Sequence, residues 1–292
     1  MSPGARMTGE GDIGRYLAGD LSAEVTLARL LLAGVSPEQI AGLPALDGTP
    51  RGRALQHMVS GRRKDLRELQ TIFAGLDHGA RSTTPAETVR RTRQAFDRAV
   101  AASPEASVAA YSLGDPAILA AATQEIVLWL DATGLIRPAS DVLDLGCGIG
   151  RVAAALAPRV RSVLGLDVSP AMTEEAGRRC AAANVKFIAS SGINLSVVPS
   201  RAYDLVLAVD SFPYLMQAGS MLAERHVADA ARVLRAGGAL AILNLSYRGD
   251  PPADAQDAAR WAVTHGFTTI VLGDVPFKLW DGRAFVLRRA GR

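Results

Sequence analysis

From residue 141 onward, short apolar runs alternate with stretches of helical periodicity, and that alternation leaves few folds open. The runs fall at about 141–145, 162–166, 185–189, 203–209, 239–245, 268–275 and 284–289. Helices are expected between them, at about 150–158, 170–183, 216–235 and 252–265. This order means βαβ units and a parallel sheet covered on both faces. The last two runs are separated by a stretch holding the turn dipeptide Asp281-Gly282, with no room for a crossover helix, so they should pair antiparallel. The expected fold is α/β, a seven-stranded doubly wound sheet with an antiparallel last strand.

The chain ahead of this has a different grammar. From about 14 to 102 it is helical throughout. L-A-R-L-L-L-A-G closes at Gly34, and S-P-E-Q-I-A-G-L reopens with Ser36 as N-cap and Pro37 in the first helical position. Leu55, Met58, Val59, Leu66, Leu69 and Phe73 recur at helical spacing over 50–74, and a further helix follows Pro85. A-A-S-P-E-A-S, residues 101–107, reads as a linker, after which a helix over 117–133 ends at Gly134. The expectation is a small all-helical domain over 1–105, serving dimerisation or as a substrate lid, and a larger domain over 106–292.

Composition narrows the setting. The chain has 292 residues, 49% of them hydrophobic, which suits a globular protein with a real core. Its first residues lack the apolar stretch of a secretory signal, and no run reaches membrane-span length. Two cysteines, Cys147 and Cys180, make neither a disulfide framework nor a zinc site. A cytoplasmic protein with no metal and no membrane contact is expected. Between Arg51 and Arg98 basic residues outnumber acidic ones by eleven to five. No aromatic residues interleave with these arginines as single-strand binding would need, so a solvated helical face is preferred over nucleic-acid contact.

The chemistry gathers at V-L-D-L-G-C-G-I-G-R, residues 142–151. Ligands of doubly wound sheets bind at the carboxyl ends of the strands, and glycines there let a ligand approach the backbone. A nicotinamide dinucleotide fits poorly. Its fingerprint is G-x-G-x-x-G, whereas here the spacing is G-x-G-x-G with Arg151 in the sixth position. Asp144, two residues ahead of the first glycine, would also repel a pyrophosphate. It suits a ligand with a cationic amine and no phosphate, as in S-adenosylmethionine. A second acid, Asp167, stands at the tip of the second strand in L-G-L-D-V-S-P-A-M, where it can accept both ribose hydroxyls. Ser169, before Pro170, is the better N-cap for the helix that follows.

From about residue 110 onward the chain resembles the class I S-adenosylmethionine-dependent methyltransferases. V-L-D-L-G-C-G-I-G-R is similar to their first motif and G-L-D-V-S to their second. R-V-L-R-A-G-G-A-L-A-I-L, residues 232–243, resembles the helix–turn–strand signature that closes their core. The resemblance implies S-adenosylmethionine as cofactor. It implies that Asp144 holds the methionine amino group and that Gly146, Gly148 and Gly150 line the methionyl and ribose portion. Asp167 would hold the ribose, with Val168 and Met172 flanking the adenine. The family often has an acidic residue after the third strand; A-S-S-G-I-N here leaves the ring to Ser191, Gly192 or Ile193. Asp210 would approach the methionyl end. The core from 141 onward has no long insertion to roof the site, so the segment 109–119 is expected either to close over it as a lid, with Tyr111 over the methionyl end, or to be a plain helix-entry turn.

Methyl transfer from a sulfonium needs alignment and exclusion of water more than acid–base catalysis. Asp210, Tyr214 and Tyr247 are the catalytic candidates at the carboxyl edge of the sheet, with Arg248 beside them. D-S-F-P-Y, residues 210–214, has one proline where the amino-group methyltransferases of nucleic-acid bases have two. His226 should lie in helix packing and His265 at a helix end. His57 and His78 receive no role, and both cysteines read as structural. The expected activity is methyl transfer to an oxygen, nitrogen or carbon of a small molecule, with a possible homodimer through the N-terminal helices. Methylation of RNA, DNA or protein, and a non-catalytic cofactor-binding regulator, are the alternatives.

Overall fold

The computed structural model describes residues 3–75 and 84–291. Among the described residues eight α-helices come first: α1 (Pro3–Ala18), α2 (Ala23–Leu32), α3 (Pro37–Ala41), α4 (Pro50–Gly61), α5 (Arg63–Gly75), α6 (Pro85–Ala102), α7 (Pro104–Val108) and α8 (Pro116–Ala132). The alternating region follows as β1 (Asp141–Leu145), α9 (Arg151–Leu156), β2 (Ser162–Asp167), α10 (Pro170–Arg179), β3 (Val185–Ala189) and β4 (Tyr203–Val209). It continues with α11 (Phe212–Ala218), α12 (Ser220–Val233), β5 (Leu234–Leu243), α13 (Pro251–His265), β6 (Phe267–Asp274) and β7 (Ala284–Arg289).

The chain divides into two compact units that interleave along the sequence. The first takes residues up to 77, 99–122 and 278–281; the second takes 78–98, 123–277 and 282–292. The boundaries run through α6 and α8.

The first unit is helical. Its starts follow the rules of local capping: Ser22 accepts from the Val25 amide to open α2, and Ser36 and Gln39 form a reciprocal capping box on α3. Leu27, Leu30, Leu31, Ile40, Leu55 and Leu66 are among its fully buried side chains. Two expectations change here. The helix expected over 50–74 breaks at Arg62, whose guanidinium turns to donate to the Leu113 carbonyl (2.9 Å). Residues 101–107 are not a linker: α6 runs to Ala102, and Ser103 then caps α7 with Pro104 in its first position.

The second unit holds the seven-stranded sheet, in the order β3-β2-β1-β4-β5-β7-β6. Strands β1 to β5 pair in parallel, and β7 runs antiparallel between β5 and β6. The order reverses between β1 and β4, which leaves a crevice at their carboxyl ends. One face of the sheet packs Leu143, Val206, Leu240 and Phe285 against Phe212, Val227 and Trp261 from the helices. Burying each such side chain contributes roughly 2 kcal/mol. The single helix expected over 216–235 is two, because Gly219 at φ 131° ends α11 and starts α12. Among the described residues no helix is long and apolar enough to cross a membrane.

Candidate cofactor and acceptor site

The crevice of the second unit begins with the loop after β1. The amides of Gly146 and Cys147 both donate to the Leu166 carbonyl (2.7 and 2.9 Å), which pins the loop to the end of β2. Two of its glycines are bare for reasons inside the protein. A Cβ on Gly146, at φ 75°, would overlap the Cβ of Ser211, and one on Gly150 would stand 2.7 Å from the Phe187 ring and 2.9 Å from Ala176. The loop therefore nests against the turn after β4 on one side and against β3 and α10 on the other.

Asp144 lies 1% exposed at the base of this loop, and its Oδ2 has no hydrogen-bond partner. Burial pushes its carboxyl up to about 7; Arg151 opposes that rise and Asp167 adds to it. A buried carboxylate with an orphaned oxygen is costly unless something charged comes to meet it. An ammonium group satisfies both the charge and the lone pair, so the residue fits the amino end of S-adenosylmethionine. Among the described residues no group of acidic, histidine and cysteine side chains could hold a metal.

Asp167 is also buried, and its two oxygens are both in use. Oδ2 accepts from the Gly148 amide and Oδ1 from the Ser169 amide, each at 2.9 Å. The carboxylate thus ties the glycine loop to the start of α10; the Val168 amide adds a third bond, and acceptor capacity remains for a ribose hydroxyl. Burial raises its pKa against the pull of these amides. Ser169 is the N-cap of α10, accepting from the Met172 amide (3.1 Å). Its hydroxyl donates in turn to Asp97 of α6 (2.6 Å).

Beyond the ribose position, Gly192 sits at φ 69° between two valines. A Cβ there would lie 3.1 Å from Val168 and 2.8 Å from Val89 of α6. Met172 is buried below, at 1% exposure. Ser191 is exposed and accepts from the Ile193 amide (3.2 Å), which shapes this turn without any acidic side chain.

The other end of the crevice follows β4. Asp210 adopts φ 54° and Asn244, closing β5, φ 74°; both are left-handed non-glycine residues of the kind that gather at functional sites. Asp210 Oδ1 accepts from Asn244 Nδ2 (2.8 Å) and from the Tyr247 hydroxyl (2.9 Å). Tyr247 is partly exposed, and its hydroxyl reaches Asp210. The Tyr214 ring meets Tyr247 edge-on at 5.7 Å and Phe96 of α6 at 5.0 Å. Burial, reinforced by the Asp210 charge, pushes both phenols above the usual tyrosine range, so at neutral pH they are donors and not bases.

The candidates read from sequence therefore divide by unit. Asp144, Gly146, Gly148, Gly150, Asp167, Val168, Met172, Ser191, Gly192, Ile193, Asp210, Tyr214 and Tyr247 all belong to the second unit. Tyr111 belongs to the first, where it is buried and stacks on Trp280 (6.1 Å). Arg248 pairs with Asp254 (2.7 Å) and Asp257 (2.9 Å) at the start of α13. His226 is buried, with Nδ1 on the Leu222 carbonyl (2.9 Å) and burial pushing its pKa down. His265 meets Glu224 (3.3 Å), and burial pushes the Cys147 thiol up. His78 lies outside the described residues. Sequence reading passed over Asn244, Ser211, Val89, Phe96 and Asp97. Asn244 had a signal, a polar residue at the carboxyl end of β5 in the place that Asp210 holds on β4; the others are brought in by tertiary packing.

Comparison with known proteins gives this geometry a context. Residues 142–238 match the family described as a methyltransferase domain. The chain is similar to methyltransferase GfsG of Streptomyces halstedii, 35% identical over 136 residues and 44% of each chain. It is also similar to an S-adenosyl-L-methionine-dependent Diels-Alderase, iccD, of Talaromyces variabilis, 28% identical over 40% of each chain. The chain thus spans less than half the length of these curated relatives. In fold it is similar to phosphoethanolamine N-methyltransferase 1 of Haemonchus contortus, with a TM-score of 0.53 and 16% identity over 71% of this chain and 50% of that one.

Proposed function

We propose that this chain is a class I S-adenosylmethionine-dependent methyltransferase acting on a small molecule, at oxygen, nitrogen or carbon; residues 142–238 match the family described as a methyltransferase domain, and the sheet carries the reversed last strand. The observation that carries the reading is the orphaned oxygen of buried Asp144 beside the glycine loop. A nicotinamide dinucleotide would bring phosphate to that carboxylate, and S-adenosylmethionine brings an ammonium.

When bound, S-adenosylmethionine supplies a methyl group already activated by its sulfonium. Asp144 would receive the ammonium and ionise in doing so. Asp167 would accept the ribose hydroxyls while its present partners, the Gly148 and Ser169 amides, hold it still. Val168, Gly192 and Ile193 would flank the adenine. At the other end Tyr214 and Tyr247 stay protonated and donate, and Asp210, held by Asn244 and Tyr247, offers the one carboxylate among these three candidates. These groups would orient the acceptor and exclude water, which is most of what an in-line displacement requires. In this reading the N-terminal helices serve a dimer interface or a lid, and light scattering of the purified protein tests the first.

Calorimetric titration with S-adenosylmethionine, S-adenosylhomocysteine and NAD, on wild type and Asp144→Ala, tests the cofactor. Binding of the first two, abolished in the variant, supports the reading; binding of NAD alone overturns it. A screen of small acceptors for S-adenosylhomocysteine release then tests transfer. The Diels-Alderase relative favours a second reading, in which the cofactor is held without losing its methyl. Product formation with no S-adenosylhomocysteine would select it.

A further inference from the structure

Helix α6 lies outside the motif-bearing part of the chain, yet three of its side chains reach the crevice of the second unit. Val89 closes on Gly192, where an added Cβ would meet both it and Val168, and Phe96 meets the Tyr214 ring. Residues 89 and 96 are two helical turns apart, about 10 Å along one face, so α6 runs beside the crevice from one end toward the other. Asp97, next to Phe96, makes the third contact: its Oδ1 accepts from the Ser169 hydroxyl (2.6 Å) and, more distantly, from the Ala171 amide (3.4 Å).

We propose that Asp97 is a positioning residue for the cofactor: through Ser169 it holds the turn between β2 and α10, and with it the Asp167 carboxylate, in the geometry that receives a ribose. The inference rests on the methyltransferase reading. The route is continuous, from Asp97 to the Ser169 hydroxyl, from the Ser169 amide to Asp167 Oδ1, and from Asp167 Oδ2 to the Gly148 amide. Ser169 is the main cap of α10, accepting from the Met172 amide at 3.1 Å, and Asp97 adds only the longer contact to the Ala171 amide. The Asp97 charge also raises the basicity of Asp167, which strengthens it as an acceptor of hydroxyl protons.

The test is calorimetry of the full chain with two probes, S-adenosylhomocysteine and its 2′,3′-dideoxy analogue, on wild type, Asp97→Ala and Asp97→Asn. Asp97→Ala should weaken S-adenosylhomocysteine about tenfold, the scale of one hydrogen bond to a charged group, and leave the analogue's weaker binding almost unchanged. Asp97→Asn, whose amide oxygen still accepts from Ser169, should recover most of the loss. Equal weakening of both probes, or no weakening of either, overturns the proposal while the cofactor reading stands. Wild-type protein that binds neither probe overturns the cofactor reading and this proposal with it. Should Asp97→Ala fail to fold, Asp97→Asn against Asp97→Leu supplies the same comparison, and equal probe losses there overturn it likewise.

Discussion

Ser211 donates its hydroxyl to the carbonyl of Leu145 at 2.6 Å, and so joins the turn after β4 to the turn after β1 across the point where strand order reverses. The two halves of the crevice are therefore one piece. The loop bearing Asp144 and the turn bearing Asp210 cannot shift independently without breaking this bond and the contact of Gly146 with the Ser211 side chain.

Gly146→Ala should be the most disruptive small change in the loop. The new methyl meets the Cβ of Ser211 and the residue sits at φ 75°. A left-handed alanine costs about 1–2 kcal/mol and overpacking about 1–3 kcal/mol more. Chemical denaturation should register a loss of about 2–5 kcal/mol; made in a Ser211→Gly background and compared with Ser211→Gly alone, which lacks the Leu145 bond in both forms, the same change should cost only the backbone part.

Asp144→Asn should make the ligand-free protein more stable at pH 8. The folded carboxyl, raised to about 7 from an ordinary 3.8, holds its proton where the unfolded one has lost it. That contribution is complete below about pH 4 and disappears as pH rises through 7. The variant's advantage over wild type should be near zero at pH 4 and reach on the order of 4 kcal/mol by pH 8. Melting curves across that range decide it, and a pH-independent difference would contradict the assignment.

Affinity for S-adenosylmethionine should fall in acid. Receiving an ammonium requires the ionised form of Asp144, so below pH 7 each unit should weaken binding about tenfold. Calorimetry at pH 6 in two buffers of different protonation enthalpy should also detect close to one proton released per ligand bound.

Neither Tyr214 nor Tyr247 should ionise in the ordinary tyrosine range. Burial and the neighbouring Asp210 charge both hold their protons on. Absorbance titration at the phenolate band should give the same change up to about pH 10.5 for wild type, Tyr214→Phe and Tyr247→Phe. A smaller change in either variant would mean that the removed phenol had been titrating normally.

Much of this protein can be read along the chain because the signals are local. Apolar runs between glycine and helix caps place β1 to β4 within a residue of expectation, and Ser36-Pro37 and Ser169-Pro170 open helices as capping chemistry requires. Ser103-Pro104 carries the same signal and opens α7, although the stretch 101–107 reads as a linker in sequence. Asp144 and Asp167 stand out because an acid at the end of an apolar strand has no packing reason to be there.

What the chain's order could not disclose are the contacts between residues far apart in it. Sequence alone determined the strand order's ingredients, the reversed β7 and the carboxylates of the crevice, since each follows from periodicity, turn length and charge within a few residues. Only the tertiary structure decided that Phe187 fills the space beside Gly150, that Asn244 shares Asp210 with Tyr247, and that α6 brings Val89, Phe96 and Asp97 to the crevice. Those pairings depend on side-chain shape and on the exclusion of water between surfaces, and neither leaves a periodic trace in the sequence.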